Sequence, residues 1–347
     1  MKKTTFCLIG CGRISEKHFE AIQKIDNAEI IGCCDVDQIR LEEVATKYKI
    51  ENIYLDYKMM LNELKPHAVL ICTPSGLHSE MGIFAAQNGT HVITEKPMSI
   101  TLKQADELIS ACDTNKVKLF VVKQNRLNLP IQLLKKAIDK GRFGKIFNAN
   151  ITVRWTRPQS YYDMSNWRGT WKFDGGAFLN QASHYFDLLT WLIGSVESVI
   201  AHTSTMNHNI EVEDIGMGII KFTNGAIGNV EVTMNTYPRN WEGSITVMGE
   251  NGVAKIGGIA VNKIEHWEFK EYDDDDKYID TITTNPPDIY GYGHTGFLTN
   301  VVDTLSGTAE PNMDGREGRK SLELILAMYE SAKTGLWINI NKMEKKC

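Results

Sequence analysis

The stretch Thr90-His91-Val92-Ile93-Thr94-Glu95-Lys96-Pro97 sets a Glu-Lys pair, fixed by proline, at the end of an apolar, β-branched run. In an open parallel sheet, ligands bind just beyond the carboxyl ends of the strands. A lysine placed there can orient a hydroxyl group or exchange its proton. By itself the pattern also describes a surface lysine that happens to close a strand. A second stretch decides between the two. Thr4 to Ile9 reads as a short buried strand, followed directly by Gly10-Cys11-Gly12-Arg13-Ile14-Ser15 and a helical pattern through Phe19, Ile22 and Ile25.

Gly10 permits a tight turn there, and Gly12 lets the backbone approach a pyrophosphate. The helix start then supplies free N–H donors and a favourable dipole. Ser15 stands where a third glycine is usual, a small residue that spaces helix and strand slightly further apart. The next strand, Glu29 to Cys34, ends in Asp35, and Asp37 lies close by. An acid roughly 20 positions past such glycines hydrogen-bonds a ribose 2′-hydroxyl and repels a 2′-phosphate. The expected cofactor is therefore NAD rather than NADP. Ala68 to Cys72 forms another strand that runs into Thr73-Pro74, with His78 opening the following helix. Thr73, Pro74 and His78 should line the same sheet edge as Lys96, although a histidine at a helix start commonly has only a structural role.

A third chemical stretch lies further on. Trp167-Arg168-Gly169-Thr170-Trp171 and Asp174-Gly175-Gly176 lead into a helix expected over 177–193. Asn180, His184 and Asp187 fall at i, i+4 and i+7, on one stripe of that helix. The stripe either faces water or faces a ligand that the preceding glycines allow to approach. Arg157 and Arg168 flank Tyr161-Tyr162 upstream and are suited to bidentate recognition of carboxylate or phosphate.

The elements that must hold these groups divide the chain. Strand and helix alternate as far as Val122; Ile146 to Trp155 then alternates like a strand, and 196–269 reads as an antiparallel meander. Turn signals stand at Asn224-Gly225 and Asn251-Gly252. The fold class expected is α/β: a nucleotide-binding domain over 1–122, then an α+β domain over 123–347 with an open, mainly antiparallel sheet. A final helix over 316–334 should pack back on the first domain. Asp273 to Asp276 reads as a solvated loop. The open sheet should leave one broad face for another subunit, which predicts a homo-oligomer, a tetramer or a dimer.

Composition bounds the function. The 347 residues suffice for two cores, and a net charge of −5 without a basic stripe argues against nucleic acid. No apolar run approaches the ~20 residues that span a bilayer. Met1-Lys2-Lys3 before Leu8-Ile9-Gly10-Cys11 imitates a lipoprotein signal, but the apolar core is too short, and the strand reading is preferred. Seven cysteines, six of them before residue 113 and none in a C-x-x-C pair, read as reduced core residues of a cytoplasmic protein. The histidines form no H-E-x-x-H or Cys/His cluster, so no metal is expected.

The glycine turn, the strand-end Glu95-Lys96-Pro97 and the glycine-led helix bearing His184 together resemble the glucose–fructose oxidoreductase / inositol dehydrogenase (Gfo/Idh/MocA) family over essentially the whole chain. The resemblance implies a Rossmann domain followed by an α/β domain on an open sheet. It implies catalytic roles for Lys96 and His184. Asn180 stands where the family commonly has aspartate, and an amide positions a hydroxyl but cannot take its proton. The implied cofactor contacts are Gly10, Gly12, Arg13, Ile14, Asp35, Thr73, Pro74, His78, Glu95, Lys96, Trp167 and Arg168. Substrate contacts fall on Lys96, Arg157, Asn180, Gln181 and His184, with Glu95 expected to point away from Lys96 or to bind the cofactor. Asn180-Gln181-Ala182-Ser183-His184, with Asn166-Trp167-Arg168-Gly169, is similar to bacterial UDP-N-acetyl-2-amino-2-deoxyglucuronate 3-dehydrogenases of surface polysaccharide synthesis; the Asp314–Arg319 run is also similar. Two other readings stay open: a dehydrogenase of a free sugar or inositol, and a non-catalytic NAD-binding sensor.

Overall fold

A computed structural model describes residues 3–283, 286 and 290–340. Met1 and Lys2 of the signal-like start, and the seventh cysteine, Cys347, lie outside them. Two compact units emerge. The first comprises the chain up to Lys123 together with His294–Arg319; the second comprises Gln124–Gly293 and the chain from Lys320.

The first unit is built on six parallel strands: β1 (Thr4–Ile9), β2 (Ala28–Cys34), β3 (Ile53–Tyr54), β4 (Ala68–Ile71), β5 (His91–Thr94) and β6 (Leu119–Val121). Their order is β3-β2-β1-β4-β5-β6, so the direction of winding reverses between β1 and β4. Parallel strands covered on both faces read as continuous apolar runs, and every residue of β4 is buried accordingly. Asp37 and Thr101 accept from backbone N–H groups as the caps of helices Gln38–Tyr48 and Leu102–Thr114.

The second unit carries β7 (Ile146–Arg154), β8 (Val196–Ser204), β9 (Ile215–Phe222), β10 (Ile227–Thr233), β11 (Glu242–Gly249), β12 (Gly252–Gly257), β13 (Lys263–Phe269) and β14 (Ile338–Asn339). They form one sheet in the order β13-β12-β11-β7-β10-β9-β8-β14. The meander expectation holds for most neighbours, but β7 inserts between β11 and β10 and runs parallel to β10. A parallel pair needs a long crossover, and the chain between them, which carries the helices over 159–193, supplies it. Ala149, Ile151, Val153, Val230, Val232, Ile245 and Val247 are buried on the face against which helix Ser183–Ile193 lies.

Three expectations need correction. The domain break falls after Lys123, and the chain returns to the first unit over 294–319. The final helix spans Gly315–Thr334, but only its start belongs with the first unit. There Arg316 pairs with Asp113 at 2.7 Å and Arg319 with Asp106 at 2.6 Å. The apolar body instead joins the second unit: Ser331 Oγ accepts from Ala201 N at 3.0 Å, and Tyr329 donates to Glu213 at 2.8 Å. The charged turn and the apolar stripe of one helix thus find different partners. The acidic run is not merely solvated. Asp273 and Asp275 pair with Lys140, Asp275 also with Lys136, and Asp276 with Arg142.

Candidate active site

The residues suited to a dinucleotide gather at the carboxyl edge of the parallel sheet in the first unit. Gly10 has φ +92°, and a Cβ there would stand 2.8 Å from the Cys72 carbonyl, so only glycine lets the β1 turn lie against the end of β4. Among the described residues, nothing beyond its chain neighbours comes within 4 Å of a Cβ position at Gly12, which leaves room for a phosphate to approach the backbone. Helix Ser15–Ile22 starts just beyond, with Arg13 exposed and Ile14 half-buried. Asp35, nearly buried, accepts from Cys11 N at 2.7 Å and Asp37 N at 2.9 Å. Its carboxylate therefore braces the glycine turn and keeps lone pairs for a ribose hydroxyl. These residues fit an NAD adenosine and pyrophosphate. Asp37, expected to reinforce the negative field, instead caps the next helix and pairs with Arg40 at 3.2 Å. Arg40 also lies 3.8 Å from Asp35.

The ends of β4 and β5 are tied together. Thr73 and Pro74 are half-buried, and His78 is buried between the carbonyls of Thr73 and Pro97. Lys96 is half-buried. Glu95 is turned toward His18, with Oε1 at 2.8 Å from Nε2, while Oε2 accepts from Lys96 N at 3.2 Å. Burial pushes the Glu95 pKa up, but the His18 hydrogen bond and the charges of His18, His294 and Lys96 outweigh it and hold it down to about 2. Neither His18 nor His294 was legible as a partner from the sequence. His294 sits nearly 200 residues from Glu95 and carries no local motif. The ligand atoms of His18, Glu95 and His294 lie within 4.8 Å of one another, all three side chains buried, a histidine grouping that the sequence did not reveal.

A second group of polar side chains is built in the second unit. The helix expected over 177–193 is interrupted: a π-type turn spans Gly176–Gln181, and the α-helix runs from Ser183 to Ile193. π-type turns inside helices recur at functional sites, and this one carries Asn180 and Gln181. Asp174, buried, accepts from Gly169 N at 2.7 Å and from the Asn180 amide. The Asn180 oxygen accepts from Gln181 Nε2 at 2.8 Å, and the Gln181 oxygen accepts from Arg157 Nε at 3.0 Å. Gln181 also donates to Tyr161 Oη at 3.1 Å, which accepts from Arg168 at 2.5 Å. A carboxylate can only accept and a guanidinium can only donate, so the two ends of this chain fix how both amides face. Arg168 is not a solvated loop residue. Its guanidinium lies 4.3 Å from the Tyr161 ring centre and 4.7 Å from that of half-buried Trp167.

His184 is half-buried, with Nε2 3.3 Å from the Gln124 side-chain amide. One turn along, Asp187 makes two 2.7 Å hydrogen bonds with Arg126, both side chains buried. Asp187, at one end of the stripe, is therefore buried and paired, while Asn180 and His184 are half-buried. Arg126 and Gln124 meet Asp187 and His184 from the turn just after β6. Sequence reasoning missed Gln124, Arg126 and Asp174 in these roles. Spacing along one helix cannot reveal partners from another segment.

Among the described residues no helix is long and apolar enough to cross a membrane, and the six described cysteines are free and buried.

Comparison with known proteins agrees with this geometry. Residues 4–123 match the profile of the oxidoreductase family's NAD-binding Rossmann fold, and residues 135–340 that of its C-terminal alpha/beta domain. The WlbA dehydrogenase of Bordetella pertussis, solved with NADH and UDP-GlcNAcA, is 47% identical with a TM-score of 0.95, over 97% of this chain and 98% of that one. The WlbA dehydrogenase of Chromobacterium violaceum, solved with the same two ligands, is 48% identical with a TM-score of 0.93, over 98% and 96%. Myo-inositol 2-dehydrogenase of Thermotoga maritima is 28% identical over 93% of this chain and 95% of its own length. The chain is a member of the Gfo/Idh/MocA family, an NAD-dependent oxidoreductase with an N-terminal Rossmann domain.

Proposed function

We propose that the protein oxidises the 3-hydroxyl of a UDP-linked N-acetylaminosugar uronic acid, UDP-N-acetylglucosaminuronate, to the 3-keto sugar. One observation carries this reading: near-full-length identity of 47–48% to two dehydrogenases solved with NADH and UDP-GlcNAcA. The curated relatives that act on free sugars or polyols stand lower, at 28% for the inositol enzyme and 26% for a D-apiose dehydrogenase. The Asn180-Gln181 pair, braced by Asp174 and Arg157, supports the reading because its amides are held in one orientation.

In this reading NAD supplies the hydride acceptor, and the protein must take the hydroxyl proton as the hydride leaves. Lys96 orients the hydroxyl, Asn180 positions the ring, and Lys96 or His184 accepts the proton. A neutral imidazole is well matched to that task near neutral pH. Arg157 and Arg168 meet the anionic carboxylate or diphosphate. A purely binding protein would need neither Lys96 nor His184. The test is NADH absorbance with a panel of UDP-sugar acids, neutral UDP-sugars and free polyols. Turnover with UDP-N-acetylglucosaminuronate above all others is expected. Efficient turnover of neutral free sugars, with no reaction or binding of the UDP-uronate, would overturn it.

A further inference from the structure

His78 is 1% exposed, and its two ring nitrogens meet two carbonyl oxygens. Nδ1 lies 2.8 Å from Pro97 O, and Nε2 lies 2.8 Å from Thr73 O. A carbonyl can only accept. A neutral imidazole has one N–H, so it can serve one of these oxygens and must set a lone pair against the other. Only the doubly protonated ring donates to both. The two oxygens belong to different strand ends: Thr73 follows β4, and Pro97 adjoins Lys96 after β5. The paired residues of β4 and β5 end at Ile71 and Thr94, with one further bond from Glu95 N to Ile71 O at 3.0 Å; the ring ties the two segments beyond that point.

We propose that His78 is a positioning residue for the oxidoreductase reaction: as an imidazolium it ties the Thr73 loop to the Lys96–Pro97 turn, and on losing a proton it releases one of the two. The charged groups nearest the ring are Glu95 and Lys96, both on the β5 turn, and Glu95 in turn faces His18 and His294. Thr73 and Pro74, on the β4 side, bring no titratable group. Burial lowers the ring's pKa from its ordinary value, against the two carbonyls and Glu95, which raise it; Lys96 lowers it. The second tie therefore closes on the acid side of the ordinary histidine range and opens as pH rises. Lys96 then loses one of the contacts that hold its backbone in register with the Thr73 loop.

The charge state is read directly on the wild-type protein by ¹⁵N spectra of the histidine rings, assigned by loss of one signal in His78→Gln. Two N–H groups on His78 at acid pH, giving way to one as pH rises, are expected. The functional readout is kcat and the KM for NAD between pH 5 and 8, for wild type and His78→Gln. In wild type the KM for NAD should rise across the same pH interval as the spectral change. In His78→Gln, which offers one donor group, that step should be absent and the KM higher at the acid end by roughly tenfold, equivalent to ~1.4 kcal/mol. One N–H throughout the pH range in the wild-type spectra would overturn the proposal, whatever the variant does. So would a variant that keeps the wild-type KM step.

Discussion

Replacing Glu213 by glutamine should remove a pH dependence of stability that this one side chain creates. Glu213 is 3% exposed, beneath the π-type turn that carries Asn180 and Gln181. Its Oε1 accepts from Phe178 N and from Tyr329 Oη, each at 2.8 Å. Its Oε2 has no hydrogen-bond partner among the described residues and lies against Gly176, 1.9 Å from where a Cβ would stand. Burial raises the pKa from 4.5 to about 7, against the hydrogen bonds that favour the charge. Between those values the folded state holds a proton that the unfolded chain releases, so stability falls as pH rises through the window. A rise of about 2.5 units, at 1.36 kcal/mol each, amounts to roughly 3 kcal/mol. That difference should be absent below pH 4.5 and complete above pH 7. Glu213→Gln keeps the acceptor for Phe178 and Tyr329 and carries no charge. Its stability relative to wild type should therefore improve by roughly 3 kcal/mol from pH 5 to pH 8. Urea unfolding of both proteins across that range measures it. The reporter is tryptophan fluorescence, since Trp171 packs edge-on against Tyr329 at 5.3 Å. A wild-type-to-variant difference that does not change with pH would refute the reasoning.

Further outcomes test the assigned roles. Lys96→Met and His184→Asn should each lose roughly 10²-fold or more in turnover, as loss of a general base does, while NAD binding, titrated separately, persists; near-normal turnover in both would mean that the chemistry lies elsewhere. NAD should exceed NADP in kcat/KM by at least ~10-fold, or ~1.4 kcal/mol, with Asp35→Asn narrowing the gap; equal use of NADP by the wild type would refute the role of Asp35, and Arg40 would be the residue to suspect. The outward face of the second sheet bears Met217, Ile219 and Ile227, each roughly half exposed, and should be covered by another subunit in a tetramer or dimer. A strictly monomeric mass by light scattering at micromolar concentration would contradict this.

What the sequence determined by itself was local. The glycine turn after β1, the acid ending β2 and the lysine ending β5 each follow from a strand, a turn and the residue next to it. Their placement at one sheet edge then follows from parallel winding, which leaves no other edge for strand ends. Periodicity likewise marked most strands of the second sheet, because one face of each is buried and the other is not. Tertiary structure alone decided the partners. Asp187 looked like one member of a helix stripe, yet its charge is matched by Arg126 from a separate turn. Glu95 was expected to turn from Lys96 or bind the cofactor, but only the folded chain shows that its carboxylate meets His18 on the helix after β1. Asn180 gained its orientation from Asp174 and Gln181, and the helix around it gained a π-type turn docked on Glu213. The final helix sent its charged start and its apolar body to different units. Such pairings form between residues distant in the chain, where burial makes an unmatched charge or amide costly. The spacing of residues along one segment carries no record of that cost.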